Sequence, residues 1–199
     1  MRAIEIERLV RRAANSMADS LHFYWPSLGR NDIPERNISA HFAHVLLDHD
    51  FLLYAEAHPE DTARRHLDLL AIHPTRDTLV AAEFKRIYST ETVGAMVADL
   101  DRIRSWRLGQ DRGHHQLRVH HRFGVLAATT WNPKYASWFN TTDLSHEDPT
   151  AGLLDGLWKE LPSDDVVWGS IVLIDDVPVG RRERTTEWLV YVVFPLENA

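Results

Sequence analysis

Between residues 51 and 86 the chain changes its period. FLLYAEA, HLDLLAI and TLVAAEF are brief apolar runs, and HPEDTARR and HPTRD between them are rich in turn formers, so the stretch reads as three consecutive strands joined by hairpins. Such a meander needs apolar partners on its faces, and the flanking sequence supplies them at helical spacing. Ile6, Leu9, Val10, Ala13 and Met17 mark an amphipathic helix over residues 2–20. Ile38, Phe42, Val45 and Leu46 mark a second from about Pro34 to Leu47, with Asp32 as candidate cap and Glu35 in the first turn. A third is expected over 91–107 from Val93, Met96, Leu100, Ile103 and Trp106, entered through Ser89 or Thr90. FGVLAATTW is then a fourth strand, and because it follows a crossover helix it is expected to pair parallel to an earlier one. NPKYASWFNTTDLSHEDPT reads as a loop, 150–161 as a further helix, and VVWGSIVLI and EWLVYVVFPL as closing strands. The expected fold class is α/β (α+β): a central mixed four-stranded sheet flanked by helices, with extra C-terminal strands, in a single domain of 199 residues.

Three charged residues interrupt the second and third of these runs. Asp68 stands inside HLDLLAI, and Glu83 and Lys85 stand two apart at the end of TLVAAEFK. A charge near a core must be paired, hydrated or bound to a metal. Residues two apart on a strand face the same side, so Glu83 and Lys85 share a face, and Asp68 joins them if the hairpin takes the matching register. The plainer alternative is an exposed ion-pair ladder on a solvated hairpin.

Composition narrows the chemistry. With 44% hydrophobic and 26% charged residues the chain is expected to fold as an ordinary globular domain. It has no cysteine, which removes disulfides, thiolate catalysis and cysteine-bound zinc together, so any metal must rest on His, Asp or Glu. MRAIEIERLVRRAANSMADSL has no unbroken apolar segment, and no run approaches the roughly 18 apolar residues of a membrane span, so the expectation is a cytoplasmic protein without membrane contact. Net charge is -7 but polarised: residues 102–122 hold six arginines against one aspartate. His41 and His44, three apart on a helix, have a spacing that could hold zinc, but without an E-x-x-H frame they read as ordinary helix residues.

The element order, helix, three meandering strands, helix, strand, together with Asp68 and Glu83-Phe84-Lys85, resembles the PD-(D/E)XK nuclease superfamily, the restriction-endonuclease-like fold. Its signature is an acid on one core strand and acid-x-lysine on the next. Position 67 is leucine where the motif has proline. The resemblance covers residues 34–131, leaving 1–33 as an N-terminal helix and linker and 132–199 as a C-terminal extension. It implies hydrolysis of nucleic-acid phosphodiester bonds, with DNA the expected substrate, by a bound Mg2+ (or Mn2+). The metal would take Asp68, Glu83 and the carbonyl of Phe84, with Glu35 as the additional helix acid and Glu56 its rival. Lys85 would orient or deprotonate the attacking water, or stabilise charge on the phosphate. Arg102, Arg104, Arg107, Arg112 and Arg118 are candidate contacts to nucleic-acid phosphates. Double-strand cleavage is compatible with a homodimer. The competing expectations are a non-catalytic nucleic-acid- or protein-binding domain of the same fold, and a phosphohydrolase for small nucleotides.

Overall fold

A computed structural model describes residues 1–23, 33–57, 66–105, 119–140, 154, 156, 159–161, 165–179 and 183–196. Its elements are α1 (Ala3–Phe23), α2 (Glu35–Leu47), β1 (Leu52–Ala57), β2 (Leu67–His73), β3 (Thr78–Arg86), α3 (Thr90–Ser105), β4 (His121–Thr130), α4 (Pro133–Trp138), β5 (Val167–Val179) and β6 (Glu183–Pro195).

One mixed sheet of six strands, in the order β1-β2-β3-β4-β6-β5, forms the middle layer. The three meander strands are antiparallel to one another, and β4 runs parallel to β3 after the α3 crossover. The sheet therefore has six strands and not four. The reason lies in β4: Phe123, Val125 and Ala127 bury one face and Leu126 and Ala128 the other, so its backbone groups need partners on both sides. From Phe123↔Pro195 to Thr130↔Trp188, β6 supplies them antiparallel, and β5 closes the edge.

Helices cover both faces. Leu69, Ala71, Val80, Ala82 and Phe84 belong to the core on the α1 and α2 side, with α1 lying over β5 and β6, while Leu70, Ile72, Leu79 and Ala81 belong to the core on the α3 and α4 side, with α4 lying over β4, β5 and β6. This is why the central strands read as nearly unbroken apolar runs. Local signals account for the helix starts. Ser89 Oγ accepts from Thr92 N–H at 3.3 Å, and Thr92 Oγ1 accepts from Ser89 N–H at 3.0 Å, a reciprocal cap for α3. At α2 the N-cap position is Pro34, with no side-chain cap; Asp32, the expected cap, lies outside the described residues. Part of the expected loop after β4 is instead helical. Asn132 caps α4 by accepting from Lys134 N–H at 3.0 Å, and Pro133 occupies the first turn, where its missing N–H costs nothing. Of the helix expected over 150–161, Leu154, Gly156, Lys159 and Glu160 are helical, and the remainder up to Glu160 lies outside the described residues. No described helix is long and apolar enough to cross a membrane.

The two ends of the sequence are fastened together. Glu7 of α1 is buried, and its Oε1 accepts both from the Tyr191 hydroxyl of β6, at 2.7 Å, and from Arg11. The Arg11 guanidinium also lies over the Tyr191 ring, 5.7 Å from its centroid. Burial, and next the neighbouring Glu7, push the Tyr191 phenol above its usual pKa, so it stays a donor. Gly169 of β5 makes room for it: a Cβ there would lie 2.7 Å from Tyr191 Cζ and collide with the hydroxyl. Gly169→Ala should therefore lower stability by about 1–3 kcal/mol in chemical denaturation. Combined with Tyr191→Phe the two losses should fall short of additive, because the clash with the hydroxyl is gone.

Candidate functional site

The β2–β3 ladder runs from His73↔Thr78 to Leu69↔Ala82. Beyond it the Phe84 N–H donates to a carboxylate oxygen, Asp68 Oδ2, at 2.8 Å. Asp68 thus replaces a backbone acceptor where the two strands end their pairing, and it stays half-buried. The Phe84 ring points to the opposite face and packs edge-on against Phe42 of α2, centroids 5.9 Å apart. That anchoring turns Glu83 and Lys85, on either side of Phe84, toward α3.

Glu83 is 1% exposed. Its Oε1 accepts from Arg102 Nη1 of α3 at 2.8 Å, and its buried Oε2 has no hydrogen-bond partner among the described residues. Arg102 also reaches Asp99 Oδ1 at 2.8 Å, and Lys85 Nζ stands 3.1 Å from Asp99 Oδ2. At the first turn of α2, Glu35 Oε1 accepts from Arg86 N–H at 3.1 Å and adds its negative field at Lys85. The result is a cluster of four carboxylates, Glu35, Asp68, Glu83 and Asp99, against two cations, Lys85 and Arg102, which leaves two negative charges when all are ionised.

The protonation states follow from this crowding. Burial first, then Asp68 and Asp99, raise Glu83 to about 8, against the opposing pull of Arg102. Asp99 is raised by burial, with Lys85 and Arg102 opposing. Burial alone would lower the Lys85 ammonium, but Asp99, then Asp68 and Glu35, outweigh it and hold Lys85 above its ordinary value. Lys85 is therefore a fixed cation near neutral pH.

Of the residues singled out by sequence, Asp68, Glu83, Lys85 and Glu35 come together, with Phe84 as the hinge between strand faces. Glu56 does not join them. It is exposed on the edge strand β1 at φ 49° and makes no hydrogen bond or ion pair among the described residues. Arg102 belongs to the carboxylate cluster, Arg104 pairs with Glu160 at 3.2 Å, and Arg107, Arg112 and Arg118 lie outside the described residues. His41 is tied to Ser16 Oγ at 3.0 Å and His44 stands 3.6 Å from Asp48, so the helix pair serves α1–α2 packing and the α2 terminus. Asp99 is the residue that sequence reading missed. Its signal was present: it sits on the same stripe of α3 as Met96 and Ile103, a charge among buried apolar positions.

Among the described residues, no three acidic or histidine side chains stand close enough to hold a metal ion between them. An ion here would draw on two carboxylates and on other oxygen donors, a set that suits a hard divalent cation. The unpartnered Glu83 Oε2 and the surplus negative charge fit that demand.

No protein-family model, no curated protein and no solved structure matches the chain.

Glu83 gives the site a pH signature. A carboxyl raised from 4.5 to about 8 on folding contributes stability that is complete below about 4.5 and lost as pH rises through 8. Urea denaturation should show stability falling by more than about 1 kcal/mol between pH 5 and 8, and Glu83→Gln, which keeps an acceptor for Arg102, should flatten that fall.

Proposed function

We propose that this protein is a metal-dependent nuclease of the PD-(D/E)XK type, which hydrolyses phosphodiester bonds in nucleic acid, with DNA as its substrate, on a restriction-endonuclease-like core spanning residues 34–131. The observation that carries the reading is the convergence of Asp68 and Glu83, from adjacent strands, with the ammonium of Lys85 where the β2–β3 ladder ends. A helix–three strands–helix–strand order with β4 parallel to β3 supports it.

Mg2+ or Mn2+ would be held by Asp68, Glu83 and the Phe84 carbonyl, where it would offset the charge of the phosphodiester and lower the pKa of bound water. The protein's own groups do the rest. Lys85, kept protonated by its carboxylate neighbours, does not accept a proton in the resting site; of the roles open to it, stabilising charge that develops on the phosphate fits best. Asp99 fixes the lysine, and Arg102 balances Asp99 and Glu83. Glu35 holds the Arg86 backbone at the rim and completes the acidic set. Cutting both strands of a duplex would need two such sites, which a homodimer provides.

Asp68→Ala and Lys85→Ala should each abolish Mg2+-dependent cleavage of DNA, read on gels, while leaving the protein folded by circular dichroism. Undiminished cutting by either variant defeats the proposal.

One observation favours a second reading, a non-catalytic nucleic-acid-binding domain of the same fold: Arg102 pairs with Glu83 Oε1 and Asp99 Oδ1 and so occupies carboxylate oxygens that a metal would draw on. Salt-sensitive binding of DNA that is indifferent to Mg2+, with no cut products, would select it.

A further inference from the structure

Two large aromatic side chains stand exposed beside the candidate site. Tyr88 is 47% and Trp131 37% exposed, and their ring centroids lie 6.2 Å apart with planes inclined at 44°, so together they present one bent aromatic surface. Their position follows from the parallel strand pair. Lys85 is in register with Ala128, and the Ile87 N–H donates to Thr129 O at 2.8 Å; Tyr88 and Trp131 follow three residues beyond Lys85 and Ala128. At extended spacing that is at most about 10 Å past Lys85 along the strands. The carboxyl ends of parallel strands, where connections leave for opposite elements, are where open α/β sheets gather ligands.

The backbone around both rings is pinned. The Tyr88 N–H donates to Thr92 Oγ1 at 3.1 Å, and the Asn132 N–H donates to Thr130 Oγ1 at 3.1 Å, just ahead of the Asn132 cap on α4. The rings are thus presented to water by rigid segments, with little ordering left to oppose binding. Arg86, Ile87, Thr129, Thr130 and the buried Glu187 line the shallow hollow between them.

We propose that Tyr88 and Trp131 form a stacking platform for an unpaired base of the strand whose phosphodiester lies at the carboxylate cluster. This rests on the nuclease reading and adds a substrate class: single-stranded or frayed DNA is preferred over a closed duplex, because a base must leave its pair to meet an aromatic face.

The test uses the full chain in EDTA, so that nothing is cut, with a labelled single-stranded oligodeoxynucleotide and the blunt duplex of the same sequence, by fluorescence anisotropy. Tyr88→Ala and Trp131→Ala should each weaken single-strand binding about tenfold and duplex binding far less. Tyr88→Phe and Trp131→Phe, which keep a π face, should restore it. Tyr54→Ala, which removes an equally exposed ring on β1, should leave it unchanged. Unaltered single-strand affinity in both alanine variants overturns the platform, while Mg2+-dependent cleavage by the parent protein separately upholds the nuclease reading. A parent that neither binds nor cuts DNA overturns both. Loss of self-association in the alanine variants, with DNA affinity intact, assigns the rings to an interface between copies and overturns the platform alone.

Discussion

A carboxylate without access to water organises this molecule. Glu83 lies in β3, the last strand of the meander and an interior strand of the sheet, closed over by α3, and a bare charge in that position would cost several kcal/mol. Burial is met in two ways: the carboxyl holds its proton up to about pH 8, and α3 brings Arg102, on its last turn, into register with it. Arg102 in turn requires Asp99 one turn back, and Asp99 fixes Lys85 on the strand from which the chain of contacts began. The apolar stripe of Val93, Met96, Leu100 and Ile103 sets how deep α3 sits, and the ion pairs set where along the strand it stops. A well-packed set of apolar residues of similar volume would hold the helix as firmly. As a fastener alone, the polar solution is a poor choice.

That arrangement also polarises the sheet. The end of β3 carries the acid cluster, whose carboxylates outnumber its cations, while the start of β4 at the opposite end of the pair carries His121 and Arg122. The Phe84 ring anchors one face of β3 so that its neighbours in sequence can be polar on the other. A strand buried on both faces can afford such a break only at its end, and Asp68 marks that end by taking the place of a backbone acceptor.

Much of this was legible in the sequence, for identifiable reasons. The change from helical to strand spacing located the meander and its covering helices, and three charges in apolar runs located Asp68, Glu83 and Lys85. The legible part was one-dimensional: alternation and period report which faces are buried. What stayed hidden depended on partners far apart in the chain. Six strands in one sheet, with β6 inserted between β4 and β5, follow from the pairing needs of β4, and those become visible only once both of its faces are known to be covered. Asp99 was overlooked because an aspartate in a helix that also carries Glu91, Asp101, Arg102 and Arg104 looks solvent-facing until its stripe is compared with Met96 and Ile103. The α4 helix was hidden inside a polar segment although Asn132-Pro133 is a legitimate helix opening. Glu35 was read correctly as a first-turn residue, but its hydrogen bond to Arg86 N–H joins elements 51 residues apart, which no local pattern encodes.

The bond between Glu7 and Tyr191 spans 184 positions. During vectorial synthesis the first helix emerges long before the strand that satisfies its buried acid, so its apolar stripe has no complete partner until β5 and β6 have been made. Until then Glu7 keeps α1 tolerable in water, and only the arrival of the last strand makes its burial favourable. A nascent chain halted before β6 would leave Glu7 without its tyrosine partner and one edge of β4 without its strand.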